Sequence, residues 1–192
     1  TGNSIYSADT GGISVRRCNV VKISDNLVHN CGRVVPTADT SAISVTWANI
    51  LAITNNTVHN FGRRGIHIRN VPAATVSGNQ ISGAAYTSGT TYAITAETVT
   101  SGHIIDNAVF ATTDVNYNLY IKDTTGITVS NNHLQAGLSS SGVINNTHFN
   151  NYGYVTENSG AAATVADGGT IAHGCVKAPT KVTLTGSVAG EI

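Results

Sequence analysis

Six short segments of this chain repeat one local pattern: an apolar residue, two intervening positions, an asparagine, one position and a second apolar residue. They are Ile23-Ser-Asp-Asn26-Leu-Val28, Ile53-Thr-Asn-Asn56-Thr-Val58, Val76-Ser-Gly-Asn79-Gln-Ile81, Ile104-Ile-Asp-Asn107-Ala-Val109, Val129-Ser-Asn-Asn132-His-Leu134 and, more weakly, Val143-Ile-Asn-Asn146-Thr-His148. Thr1-Gly-Asn3-Ser-Ile5 fits the end of one more. From Asn3 onward the aligned asparagines are separated by 23, 30, 23, 28, 25 and 14 residues. The spacing varies while the pattern holds. A rigid rung joined by loops of different length explains both.

Each rung carries two further apolar alternations. The first is Ile13-Ser-Val15, Ile43-Ser-Val45, Ile66-His-Ile68, Ile94-Thr-Ala96 and Leu119-Tyr-Ile121. The second runs into the asparagine: Val21-Lys-Ile23, Leu51-Ala-Ile53, Ala74-Thr-Val76, Gly102-His-Ile104 and Ile127-Thr-Val129. These period-2 pieces are too short for helices and rich in β-branched residues. With the piece after the asparagine they make three strands per rung, one coil of a parallel β-helix. A single coil cannot bury its own apolar face, so coils stack, with equivalent strands about 4.8 Å apart. Asn26, Asn56, Asn79, Asn107 and Asn132 are then expected in one column. Stacked amides hydrogen-bond from coil to coil, and Asn accepts the left-handed backbone of a tight corner.

Composition narrows the function classes. Ten Lys+Arg balance ten Asp+Glu, a formal charge of +0, which argues against nucleic-acid partners and anionic membrane surfaces. No apolar run reaches the 18 or so residues of a spanning helix, so membrane insertion is not expected. No signal-peptide pattern is present, and the absent initiator Met suggests a fragment or a processed chain. Cys18, Cys31 and Cys175 form no CxxC pair, so no zinc site is expected. They read as small buried hydrophobes, with a Cys18–Cys31 bridge left open.

The rung pattern over residues 1–150 resembles the right-handed, single-stranded parallel β-helix of the pectin-lyase-like superfamily, which includes pectate lyases, polygalacturonases and bacteriophage tailspikes. The resemblance implies about six coils of 23–30 residues. From 151 to 192 the pattern changes to short strands between Gly-rich turns, read as a small antiparallel β unit. Its order, Gly153-Tyr-Val-Thr-Glu-Asn-Ser-Gly160, then Thr170-Ile-Ala-His-Gly174, then Pro179-Thr-Lys-Val-Thr-Leu-Thr185, resembles a C-terminal module of phage tail and virus-like proteins. That resemblance implies capping or trimerisation, with further strands of the module expected past Ile192.

Outward positions of the first alternation form two columns: Ser14, Ser44, His67, Thr95, Tyr120 and Arg16, Thr46, Arg69, Glu97, Lys122. In polysaccharide-active relatives of this fold that strip is the glycan groove, so Arg69, Glu97, Tyr120 and Lys122 are the glycan-contact candidates. A plain surface charge ladder through Arg69, Glu97 and Lys122 is the competing reading. A glycosidase needs paired carboxylates. Glu97 and Asp123 are the fallback catalytic pair, no catalytic residue being assigned outright. His29 and His59 fall at equivalent positions one coil apart, a ring ladder or a two-ligand metal contact; no third ligand aligns, and neither metal nor cofactor is expected. Trp47 follows the first strand at a corner, suited to packing or to sugar stacking. Arg63-Arg64 reads as a solvated loop, and the Asn55 and Asn145 sequons matter only in a glycosylating host.

The expected function is structural and adhesive: a β-helical spike or fibre segment at a virion or cell surface, extracellular, trimeric, contacting surface polysaccharide. The alternatives are a polysaccharide-degrading hydrolase or lyase and an extracellular filament subunit.

Overall fold

The β-branched alternations become fourteen strands and, among the described residues, no helix. The computed structural model describes residues 1–32, 40–84, 90–110, 115–134, 137–143 and 145–152. The strands are β1 (Ser4–Tyr6), β2 (Gly11–Ser24), β3 (Leu27–His29), β4 (Ser41–Thr54), β5 (Thr57–Phe61), β6 (Arg64–Ser77) and β7 (Gln80–Ala84). They continue with β8 (Tyr92–Ile105), β9 (Ala108–Phe110), β10 (Tyr117–Lys122), β11 (Ile127–Ser130), β12 (His133–Leu134), β13 (Leu138–Ser141) and β14 (Thr147–Phe149). One sheet runs β1-β3-β5-β7-β9-β12 and the other β13-β10-β8-β6-β4-β2, with β11 beside β8 and β14 beside β11. Neighbours are parallel and come from successive coils, the topology of a right-handed parallel β-helix. The chain divides into two compact units, Thr1–Tyr154 and Val155–Ile192. Apart from Asn151 and Tyr152, the antiparallel unit expected over 151–192, with Cys175, lies outside the described residues.

Single left-handed residues bend each coil. One column holds Asp25, Asn55, Gly78, Asp106 and Asn131, with φ from 55° to 65°, and a second holds Ser7, Asn30, Asn60 and Gly83. The residue before each ladder asparagine therefore takes the positive φ, not the ladder asparagine itself. A third column, Arg17, Trp47, Asn70, Thr98 and Asp123, bends the long strands midway. Two of the three strands expected per coil thus run as one 14-residue strand in β2, β4, β6 and β8. One left-handed residue turns the chain without breaking the ladder of pairs.

The asparagines stack as a continuous chain of hydrogen bonds. Asn3, Asn26, Asn56, Asn79 and Asn107 each donate a backbone N–H and a side-chain N–H to the Oδ1 of the next asparagine, at 2.9–3.1 Å. Below Asn132 the acceptor is Asn151, not Asn146. Asn146 instead accepts from the backbone of Ile127 and donates to Thr124. The weak sixth motif is therefore displaced from the column.

Ile43, Ile66, Ile94 and Leu119 are fully buried in one stack, flanked by Val45, Ile68, Ala96 and Ile121. Burial of each aliphatic side chain contributes about 1.5–3 kcal/mol. Ile13 and Val15, in the first coil, are only partly buried. Gly102 replaces an aliphatic residue in the second inward column, where a Cβ would sit 1.9 Å from the carbonyl oxygen of Ala74. Cys31 is buried and Cys18 exposed, both free thiols, so no Cys18–Cys31 bridge forms and only Cys31 fits the reading as a buried hydrophobe. Cys18 lies in the first coil; its register partner one coil on, Ala48, is buried.

Candidate functional site

Three adjacent strands place nine side chains in a grid on one face. Arg64, His67 and Arg69 lie on β6, Tyr92, Thr95 and Glu97 on β8, and Tyr117, Tyr120 and Lys122 on β10. The register aligns Arg64 with Tyr92 and Tyr117, His67 with Thr95 and Tyr120, and Arg69 with Glu97 and Lys122. Parallel pairing keeps each column within one strand spacing, about 4.8 Å, per coil.

Glu97 is the centre of charge. Its carboxylate lies 3.7 Å from Arg64, 3.8 Å from His67 and 3.6 Å from Arg69. Its carboxyl is held below the usual carboxylate range. The adjacent His67 ring is the largest cause, burial works in the opposite direction, and the charges of Arg64 and Arg69 add to the lowering. Lys122 is in register with Glu97 yet makes no ion pair with it. The expected charge ladder is instead a clasp on one carboxylate, with His67 and Arg64 in the place of Lys122.

Beside the clasp stand stacked rings. Tyr92 packs on Tyr120 with centroids 4.8 Å apart and on Tyr117 at 6.0 Å. Between rings and clasp lie His67 and Thr95, which the alternation placed outside. Both are buried, at 2% and 0% exposure. His67 Nε2 faces the Glu97 carboxylate at 3.8 Å, and Nδ1 and the Thr95 hydroxyl have no hydrogen-bond partner among the described residues.

Asp123 occupies the left-handed corner one coil beyond Thr98, with its backbone N–H donated to Ser141. It follows Lys122 and faces Gly142, whose missing Cβ leaves room for the carboxylate. Arg64, read as a solvated loop residue, is a buried strand residue at 7% exposure. Arg64, Tyr92 and Tyr117 each precede their ladder asparagine by 15 residues, as do Gly11 and Ser41. Counting back from the column is the signal that finds them. His67 and Thr95 stood in the aligned columns, but their burial depends on the side chains around them.

Elsewhere His29 and His59 stack with centroids 4.9 Å apart, and His59 Nδ1 meets Ser82 Oγ at 2.9 Å. Among the described residues no group of three or more His, Cys, Asp or Glu is placed to hold a metal ion. Trp47 is exposed at 44%, so it packs in no core.

The family model described as "Right handed beta helix region" matches residues 1–176. No curated protein and no solved structure matches the chain.

Proposed function

The chain belongs to the right-handed β-helix family, and from that premise we propose that it is an adhesion and structural element whose solvent-facing Arg69, Tyr92, Tyr117, Tyr120 and Lys122 hold an extended surface glycan without cleaving it. The carrying observation is the grid itself: stacked tyrosine rings offer apolar faces to sugar rings, and the neighbouring cations and hydroxyls offer polar contacts. The state of Glu97 argues against its serving as the general acid of a glycosidase. A glycosidase's general acid needs a raised pKa, whereas this carboxyl is lowered and tied to cations. An extracellular or virion-surface setting, with trimers multiplying weak contacts through effective concentration, suits such a face; the sequence of 151–192 supports the trimer.

The competing reading, a polysaccharide hydrolase or lyase, draws support from His67, whose Nε2 lies 3.8 Å from the Glu97 carboxylate. The test is retention of the intact chain on a panel of immobilised polysaccharides. Retention on at least one, weakened about tenfold or more in Tyr120→Ala and Tyr92→Ala, is expected. No retention on any, or retention indifferent to both substitutions, overturns the proposal.

A further inference from the structure

A second cluster lies on the first two coils, at the corner that follows the column of Arg69 and Glu97. Arg17 and Trp47 occupy equivalent left-handed positions there, with φ of 58° and 57°. The other two corner columns fill such positions with Asn, Asp, Gly and Ser. A bulky side chain in this backbone is strained, and a local rule broken in this way points to a use for the side chain. Thr98 breaks the same rule, beside Glu97 of the grid.

The side chains converge. The guanidinium of Arg16 lies over the Trp47 ring at 4.9 Å from its centroid, and that of Arg17 at 5.8 Å. Among the described residues neither guanidinium is in ion-pair range of a carboxylate. An open concavity of about 510 Å³ adjoins them, lined by Arg17, Cys18, Asn19, Trp47 and Asn49. Asn49 donates to Asn19 Oδ1 at 2.8 Å, which orients the Asn19 amide with its N–H groups available.

We propose that this corner is a binding site for an anionic sugar residue, its ring on Trp47 and its carboxylate or sulfate on Arg16 and Arg17. The two guanidinium groups, which meet no carboxylate among the described residues, supply fork-shaped donors that match either anion. The indole, 44% exposed with both guanidinium groups over its ring, supplies an apolar surface beside the cations. The Asn19 amide supplies donors for ring substituents. The site uses other residues and other coils than the grid, although Arg16 stands in the same outward column as Arg69, Glu97 and Lys122.

Trp47 is the sole tryptophan, so its emission reports on this corner. The intact chain is titrated with a uronate hexasaccharide, a sulfated hexasaccharide and a neutral glucan hexasaccharide. A saturable change with an anionic arm and none with the neutral arm is expected, and the arm that binds identifies the anion. Arg17→Asn is the chosen variant because asparagine suits the left-handed backbone. It is expected to keep or raise the thermal midpoint while weakening binding about tenfold or more. Glu97→Gln is expected to leave the Trp47 response unchanged. The proposal is overturned by the absence of saturation with both anionic arms, by equal binding of the neutral arm, by unchanged binding in Arg17→Asn, or by loss of the response in Glu97→Gln.

Discussion

Asn79 Oδ1 accepts two hydrogen bonds from Asn56, at 2.9 Å from its backbone nitrogen and 3.0 Å from Nδ2. The same Asn79 donates through Nδ2 to Asn107, Ile53 and Ser77. It is fully buried, so its loss removes hydrogen bonds to four neighbours. Asn79→Ala should cost about 2–4 kcal/mol. Asn3→Ala, at the exposed end of the column, should cost under about 1 kcal/mol. Chemical denaturation of both variants checks the contrast, and equal losses would contradict a buried, cooperative ladder.

Packing gives a second expectation. Ile66 is at 0% exposure in the middle of the aliphatic stack, and Ile66→Ala should cost about 2–5 kcal/mol. Gly102→Ala should be comparably damaging for the opposite reason, since the added methyl meets the Ala74 backbone at 1.9 Å. Thermal midpoints of the two variants should both fall; an unchanged midpoint for either would count against the close packing of successive coils.

Acid should weaken the fold in two ranges. Burial lowers the pKa of His148 below its ordinary 6.5, so the unfolded chain binds that proton more readily and stability declines as pH falls below 6.5. Glu97 is lowered below 4.5; its contribution is complete above 4.5 and is lost as pH falls through the folded-state value. Stability measured from pH 7 to pH 3 should lose its upper slope in His148→Gln and part of its lower slope in Glu97→Gln. Unaltered profiles would contradict the two assignments.

The fold was readable because one asparagine per coil marks the register, and the register then aligns every other position. From that alignment alone Arg69, Glu97 and Lys122 fall in one column and Tyr120 in the next. What the alignment lacked was depth. His67 and Thr95 alternate outward, so their burial follows from side chains laid across them rather than from strand period. Arg64 sits at the head of a strand, where a basic pair looks like a loop. The shift of the ladder from Asn146 to Asn151 has a similar origin: both asparagines hydrogen-bond across to the preceding coil, and local pattern does not say which one enters the column.

For assembly, the tail provides the test. Removal of 155–192 leaves Asn151 in its hydrogen bonds with Asn132 and spares the first compact unit. If the tail trimerises the chain, light scattering should give a trimer for the intact protein and a monomer for the shortened one. The same mass per particle in both would assign assembly elsewhere.

Binding without cleavage is tested most directly by the size of the glycan. A polysaccharide that the intact chain retains is incubated with it at length and sized by chromatography, with product ends assayed in parallel. The account predicts an unshortened polysaccharide and no new reducing or unsaturated ends. Shortening that disappears in Glu97→Gln or Asp123→Asn would contradict it and make the face a catalytic one.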